Sequence, residues 1–189
     1  MTKIAIWCRH DGDNIIGIGS QIPWHIPSDF RRFRKITEAA DLVVGQTTYE
    51  SFPNRTLPNR NLHILTLTPD YEVSDAERHF VYNNINAFKD FPRDLYICGG
   101  ATIYKLFMTS GAKLMPDIIV DCRYCGEVAQ LDGPKIDITP SIEVMEKKYQ
   151  RVTPEYEQEN VLTSLWVKKG DFVEQSVLKK LLNIISVDN

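Results

Sequence analysis

The sequence contains little cysteine, no long apolar run and no strong excess of charge of either sign. Four cysteines are spread over 189 residues, which is too few for a disulfide scaffold. No apolar stretch reaches the roughly 20 residues of a membrane span, and "MTKIAIW" lacks the long apolar core of a signal peptide. A formal net charge of −3 argues against electrostatic binding to nucleic acid or membranes. By elimination, we expect a soluble, cytoplasmic protein.

Redox and metal-binding motifs are also scarce. "CRYC" at 122–125 has C-x-x-C spacing, but it follows the β-type run "DIIVDC" instead of opening a helix. A zinc site would need a second ligand pair, and the histidines have no metal-ligand spacing. We therefore interpret Cys122 and Cys125 as ordinary strand residues and predict no metal.

Short apolar runs of β type alternate with helical patterns. The predicted strands are 3–8, 41–46, 61–68, 79–82, 94–100 and 117–124. The predicted helices run from a cap at Ser28 to about Ala39, from Thr47 or Thr48, after Asn84, and from the glycine pair at 99–100. This alternation predicts an α/β fold with a mostly parallel sheet and helices on both faces. "YQRVTPEYEQ" and "LTSLWVKK" predict a pair of long antiparallel strands at one edge.

Residues 171–189 have a separate helical pattern after Gly170. Its apolar stripe consists of Phe172, Val173, Val177, Leu178, Leu181, Leu182 and Ile185. We expect residues 1–170 to form one domain and 171–189 a C-terminal helical extension that docks on it. Contact with a second copy or another partner is the alternative, so we predict a monomer and leave a dimer through this helix open.

Two strand-to-helix junctions are suited to phosphate groups. "ICGGATIY" at 97–104 ends a strand in two glycines, and "VVGQTTYESF" at 43–52 has the same design with threonines at the helix start. Glycine lets the backbone approach a ligand, and a helix N-terminus offers free N–H groups. Neither junction has the G-x-G-x-x-G spacing of a Rossmann fold. Together they indicate an extended ligand such as a dinucleotide, with two ordinary helix caps as the alternative.

Asp29, near the start of the first predicted helix, is the candidate catalytic group. The preceding segment "GIGSQIPWHIP" is a glycine-containing loop with apolar residues and two prolines, of the kind that closes over a site. A carboxylate held in an apolar pocket has a raised pKa and can bind a protonated heterocycle or manage a proton. A simple interaction with the helix dipole is the alternative.

These features together resemble the dihydrofolate reductase family. The matching segments are "IGIGSQIPWHIPSDFRRFRKIT", "VVGQTTYESFPNRTLPNRNLHILT" and "YICGGATIY", in the family's order, over roughly residues 4–125. The final strands fit more loosely. The resemblance implies the family's three-layer α/β sandwich. It also implies hydride transfer from NADPH to 7,8-dihydrofolate, which gives tetrahydrofolate for one-carbon metabolism.

The resemblance also implies roles for individual residues. Asp29 would hydrogen-bond the edge of the pterin ring, and Trp24 would hold the nearby water. The implied dihydrofolate contacts are Ile6, Phe30, Phe33, Phe52, Leu57, Arg60, Tyr104 and Asp121. Arg60 would grip the glutamate carboxylate, which an arginine can bind through two hydrogen bonds. The implied cofactor contacts are Ile16, Ile22, Gly45, Gln46, Thr47, Thr48, Thr66, Leu67, Cys98, Gly99, Gly100, Ala101, Thr102 and Ile103.

The chain departs from the family's pattern in two regions. Gln46, Thr66 and Leu67 stand where many members carry basic or other phosphate-binding residues, and the choice between NADPH and NADH depends on such charges. Asp121 falls where the family usually has a threonine bonded to the catalytic carboxylate. In that register Asp121 would share the pocket with Asp29, whereas a slip of one residue would turn it away.

Two other functions stay open on the sequence alone. One is a related reductase on another pterin-like or pyrimidine substrate, although Arg60 would then have no glutamate tail to bind. The other is a binding or structural protein that keeps the fold without turnover. The weakly basic lining, Asp121 and the additional C-terminal helix favour this second alternative.

Overall fold

The computed structural model describes residues 1–187, in which eleven strands and five α-helices form one three-layer arrangement. The strands are β1 Lys3–His10, β2 Ile15–Ile18, β3 Asp41–Gly45, β4 Asn61–Leu65, β5 His79–Tyr82, β6 Leu95–Ile97, β7 Ile118–Tyr124, β8 Lys135–Asp137, β9 Tyr149–Arg151, β10 Tyr156–Gln158 and β11 Val161–Lys168. The helices are α1 Pro27–Ile36, α2 Gln46–Ser51, α3 Ala101–Thr109, α4 Thr139–Lys148 and α5 Gln175–Val187. Across these residues we find no helix with the length and hydropathy of a membrane span.

The central sheet has the order β10-β11-β7-β1-β6-β3-β4-β5, and β9 also pairs with β11. All pairs from β7 to β5 are parallel, whereas β11 is antiparallel to β7, β9 and β10. The predicted mostly parallel sheet with an antiparallel C-terminal edge is therefore confirmed. Strands such as β3, with the sequence DLVVG, read as continuous apolar runs because helices cover both faces.

Two apolar cores lie on opposite faces of the sheet, because side chains alternate along each strand. Ile4 and Ile6 of β1 belong to the core that α1, α2 and α5 cover. Ala5 and Trp7 belong to the core that α3 and α4 cover. This alternation decides which side chains of β1 and β7 can reach α1.

Several predicted element boundaries were wrong. Helix α1 begins at Pro27 with Ile26 as its N-cap, and the predicted cap Ser28 lies inside the helix. The backbone N–H of Ser28 instead donates to the Glu159 carboxylate at 3.0 Å, from the other end of the chain. Helix α2 begins at Gln46, before the two threonines. The predicted long strand 149–158 is divided into β9 and β10, with Pro154, which cannot donate to a sheet, between them.

Helix α5 packs on its own chain. Val177, Leu181 and Ile185 are buried in the same core as Ile36 of α1 and Leu165 of β11. The last two positions of the predicted extension, 188 and 189, lie outside the described residues.

Candidate active site

One cavity of about 1700 Å³ runs from α1 past the ends of β3, β4 and β6. The carboxyl ends of parallel strands are the usual ligand site of such sheets. The cavity is lined by Asp29 and the aromatic side chains of α1 on one side and by both glycine junctions on the other. Of the residues predicted for the site, Asp121 alone is absent from its lining.

Asp29 lies in the first turn of α1 with its side chain 21% exposed. Its Oδ1 atom accepts a hydrogen bond of 3.3 Å from Nη1 of Arg32. Burial raises the pKa of Asp29, while the charge of Arg32 and hydrogen bonds from the thiols of Cys8 and Cys122 act in the opposite direction. The site thus holds a carboxyl group whose proton is available over a higher pH range than that of an exposed aspartate.

The prediction that Asp121 lies in the pterin pocket was wrong. Residues of β1 and β7 pair as Trp7 with Asp121 and Cys8 with Cys122, so Asp121 projects from the face of the sheet opposite to Asp29. There it is 1% exposed and accepts hydrogen bonds from Trp7 Nε1 at 2.6 Å and from Arg9 Nε and Nη2 at 2.9 and 3.0 Å. Cys122, one residue later, is the side chain that faces Asp29 from β7.

Apolar side chains form the walls around Asp29. Phe30, Phe33, Phe52 and Leu57 line the cavity, and Phe30 is 40% exposed there. Trp24 packs against Tyr124, with ring centroids 5.1 Å apart. Ile22, on the loop between β2 and α1, is 54% exposed at the cavity rim. The cavity thus has apolar walls suited to the flat faces of a ring system and a carboxyl group, that of Asp29, at one side.

Arg60 lies at the cavity wall with its guanidinium fixed by the protein. Nη1 donates to the Pro58 carbonyl and Nη2 to the Arg34 carbonyl, both at 2.6 Å, and Nε donates to the Thr37 hydroxyl at 3.3 Å. These bonds use three of its five N–H donors, so two remain for a ligand. A fixed guanidinium with two free donors suits a carboxylate.

The two glycine junctions touch each other at the far end of the cavity. The Gly45 N–H donates to the Gly99 carbonyl at 2.8 Å, and the Gly99–Gly100 peptide bond is cis. Gly99 has φ of +102°, and a Cβ there would lie 3.1 Å from the hydroxyl oxygen of Tyr104. That hydroxyl donates to the Ile6 carbonyl at 2.6 Å, so the ring cannot easily move. Glycine is therefore required at this close approach.

Neutral hydrogen-bonding side chains and one carboxylate, that of Glu50, surround the start of α2. Oε1 of Gln46 accepts from the hydroxyls of Thr66 and Thr68 at 2.6 and 2.7 Å, and its Nε2 donates to Glu50 at 3.0 Å. Leu67 is 88% exposed beside them. This end of the cavity offers hydrogen bonds to a ligand from neutral groups.

Sequence reasoning missed four side chains near Asp29. Cys8 and Arg34 line the cavity. Cys122 and Arg32 are absent from the lining but interact with Asp29, and both act to lower its pKa. Cys8 could have been found because it alternates with Ile6 on β1, and Arg32 because it lies three residues after Asp29 on a helix. Cys125 is exposed beyond the end of β7, and in residues 1–187 we see no cluster of three His, Cys, Asp or Glu side chains suited to a metal ion.

Known proteins resemble this chain in both sequence and fold. The curated dihydrofolate reductase of Enterococcus faecium is 30% identical over 139 residues, which cover 71% of this chain and 82% of that protein. The dihydrofolate reductase of Mycoplasma pneumoniae is 31% identical over 151 residues, covering 76% and 92%. A solved structure of the dihydrofolate reductase from Enterococcus faecalis, complexed with NADP(H) and RAB-propyl, has the same fold with a TM-score of 0.67 and 24% identity over 89% of this chain and 96% of that one.

The family model described as dihydrofolate reductase matches residues 3–155, which include every strand of the parallel sheet, both glycine junctions and Asp29. This span covers well over half of the 189 residues. The protein therefore belongs to the dihydrofolate reductase family.

Proposed function

We propose that this protein reduces 7,8-dihydrofolate to tetrahydrofolate with NADPH, as an enzyme of one-carbon metabolism. The observation that carries the proposal is the single cavity that joins Asp29 to both glycine junctions. A ring bound at Asp29 and a dinucleotide bound across the junctions would meet inside it. Because Cys98, Gly99 and Ile6 line the stretch between the two ends, the reacting rings would stack there.

The residues at the junctions fit a dinucleotide cofactor. Helix α3 begins at Ala101 directly after Gly100, so its free N–H groups and positive dipole end face the cavity and suit a pyrophosphate. A Cβ on Gly100 would lie 3.2 Å from the Thr48 hydroxyl, which shows how closely the two junctions approach. Gln46, Thr66 and Thr102 would hydrogen-bond the adenosine half, and Ile16 and Ile22 would cover the nicotinamide.

Arg60 and the apolar walls fit the substrate. The two free donors of Arg60 would bind the α-carboxylate of the glutamate tail, and Phe33, Phe52 and Leu57 would hold the aminobenzoyl ring. Both N–H groups on the pyrimidine edge of dihydrofolate are donors, so an ionised Asp29 can accept from both. Phe30 would contact the pterin face.

The chemistry divides between cofactor and protein. When bound, NADPH supplies the hydride for C6 of the pterin. Asp29 orients the ring and favours protonation of N5 through water, so that one hydride and one proton are added to the C6=N5 bond. Trp24 holds this water, and Ile22 on the loop limits further access of solvent. A cytoplasmic location stays a prediction from the sequence.

Loss of NADPH absorbance with dihydrofolate tests the proposal directly. We expect turnover in the unmodified protein and a fall in kcat/KM of at least about 100-fold in Asp29→Asn at neutral pH. Asp90→Asn, at an exposed position, serves as the control and should keep normal activity. Binding of folate without turnover at any pH would instead indicate a binding protein, and normal turnover in Asp29→Asn would refute the role of Asp29.

A further inference from the structure

A buried arginine lies one helical turn after Asp29. Arg32 is 1% exposed and is the largest fully buried side chain of the described residues. Its Nη1 donates to Oδ1 of Asp29 at 3.3 Å, and its Nη2 donates to Oε1 of Gln158 on β10 at 3.3 Å. Arginine is almost never buried to this extent unless it is paired, so its placement needs an explanation.

The row of α1 that faces the protein interior contains Ser28, Arg32 and Ile36. Two of the three are polar, and an apolar residue at position 32 would bury its surface at no electrostatic cost. Phe30 and Phe33 meanwhile line the cavity. Helix α1 thus directs the charged side chain of Arg32 from Asp29 into the protein interior and the aromatic side chains of Phe30 and Phe33 into the cavity.

The other groups around Asp29 carry no compensating charge. Cys8 on β1 and Cys122 on β7 face it, and burial raises the pKa of Cys8 well above its ordinary value and that of Cys122 to about 12. Burial also keeps Tyr104 of α3 protonated by raising its pKa. Glu159 also lies near Arg32, but its carboxylate is at the start of α1, where it accepts a hydrogen bond from the Ser28 N–H. Within this set, Arg32 is the positive charge that acts on Asp29.

We propose that Arg32 is a positioning residue, which anchors one oxygen of Asp29 and keeps that carboxylate ionised inside the cavity. This inference rests on the proposed function for its catalytic consequence. Arg32 bonds Oδ1 alone instead of forming a two-bond fork, so the guanidinium does not occupy Oδ2, which faces the ring edge. An ionised Asp29 accepts from both donors of that edge, whereas a protonated one would present an O–H to one of them. Arg32 therefore sets the lower pH limit for substrate binding.

Titration of the Asp29 carboxyl carbon by ¹³C NMR in the full chain tests the inference without turnover, with Asp29→Asn providing the assignment. In Arg32→Met we expect the titration midpoint of Asp29 to rise by at least about one pH unit, since an opposite charge at this distance lowers an aspartate midpoint by about 1–3. Arg31→Met removes an exposed charge from the same helix and should leave the midpoint unchanged. An unchanged midpoint in folded Arg32→Met would overturn the proposal.

Two milder variants cover the case in which Arg32→Met does not fold. Arg32→Lys keeps the charge and should raise the midpoint less than the loss of charge does. Gln158→Ala, on the edge strand β10, removes the second hydrogen-bond partner of the Arg32 guanidinium and should also raise the titration midpoint of Asp29. No change in either variant would also contradict the proposal.

Steady-state kinetics then connect the charge to the proposed reaction. The fall of kcat/KM for dihydrofolate at low pH should begin at higher pH in Arg32→Met, with KM rising more than kcat falls, and with about a tenfold loss for each pH unit below the new midpoint. Arg32→Lys should recover part of that loss. If the NMR midpoint rises while neither the unmodified protein nor any variant turns over dihydrofolate, the charge relation stands and the proposed function fails.

Discussion

At the scale of single residues, Asp121 and Cys122 show how much a register of one position decides. The two are adjacent in the sequence, yet Cys122 faces Asp29 and Asp121 lies on the other face of the sheet with Arg9. A family motif can place a residue near the right position of a strand. Only the pairing of Trp7 with Asp121 across β1 and β7 shows which face it occupies.

This placement predicts a structural effect for Asp121→Asn. The change would leave the buried guanidinium of Arg9 without its counter-charge, and breaking a buried pair in this way costs about 3–5 kcal/mol of the free energy of unfolding. Urea denaturation measures that loss, with exposed Asp90→Asn as the control. The pH at which kcat/KM falls should not move, because Asp121 does not face Asp29. A stable variant with a displaced pH profile would show instead that the two carboxyl groups titrate together.

At the scale of elements, the strands of the parallel sheet and the start of α3 after the glycine pair were predictable, whereas the starts of α1 and α2 were not. Strands β3 and β4 are short apolar runs that no helical period fits, and β3 and β6 each lead into a glycine junction. The start of α1 depends on Glu159, 131 positions away in sequence, which no local pattern contains. Strands β2 and β8, of four and three residues, were missed because each is short and lies among glycines or prolines. Helix α4, of 10 residues with Pro140 in its first turn, was missed as well.

The site shows the same division between local and distant signals. The segments around Asp29, Gly45 and Gly99 carry their own local sequence patterns, and the structure brings all three to the lining of one cavity. In α1, however, the aromatic Phe30 and Phe33 line the cavity while the charged Arg32 is buried, the reverse of the usual placement of apolar and charged side chains. The sequence of α1 alone does not reveal this reversal, because it depends on which face β1, β7 and β10 leave open.

Helix α5 provides a test at this scale. Leu181 is fully buried against the core of α1 and β11, so Leu181→Ala should lower the free energy of unfolding by about 2–5 kcal/mol. Thermal or urea denaturation checks the value, and Lys180→Ala at the neighbouring exposed position should have little effect. Analytical ultracentrifugation should give the same mass for both variants. A mass that falls to half in Leu181→Ala would show that this face contacts a second copy.

At the scale of the whole molecule, groups on different elements pull the pH dependence of stability in opposite directions. Asp29 has a raised pKa in the folded chain, so its protonation at lower pH favours folding. His63 and His79 are 2% and 4% exposed, and burial lowers the pKa of both imidazoles. Their neutral forms favour folding, and this contribution is lost as the pH falls below their ordinary value of 6.5.

His63 connects three elements as a neutral ring. Its Nε2 lies 2.8 Å from Oδ1 of Asp41 on β3, and its Nδ1 lies 3.1 Å from the Tyr82 hydroxyl on β5. A ring with its hydrogen on Nε2 donates to Asp41 and accepts from Tyr82, so both bonds form without a second proton. Arg93 Nη2 already pairs with the same oxygen of Asp41 at 2.9 Å, and the positive charge of Arg93 helps to lower the pKa of His63.

The stability gap between the unmodified protein and His63→Gln should therefore depend on pH. At about pH 7.5 the variant loses the stacking of His63 on Phe80, the bond to Asp41 and the preference for a neutral ring. Towards about pH 5.5 the His63 side chain of the unmodified protein takes up a proton when the chain unfolds, and this uptake favours the unfolded state. The variant has no imidazole at position 63 and lacks this effect. Urea denaturation at both pH values should show the gap narrowing as the pH falls, and the contribution of Asp29 cancels because both proteins carry it. A gap that widens towards low pH would mean that the folded chain holds His63 as a cation paired with Asp41.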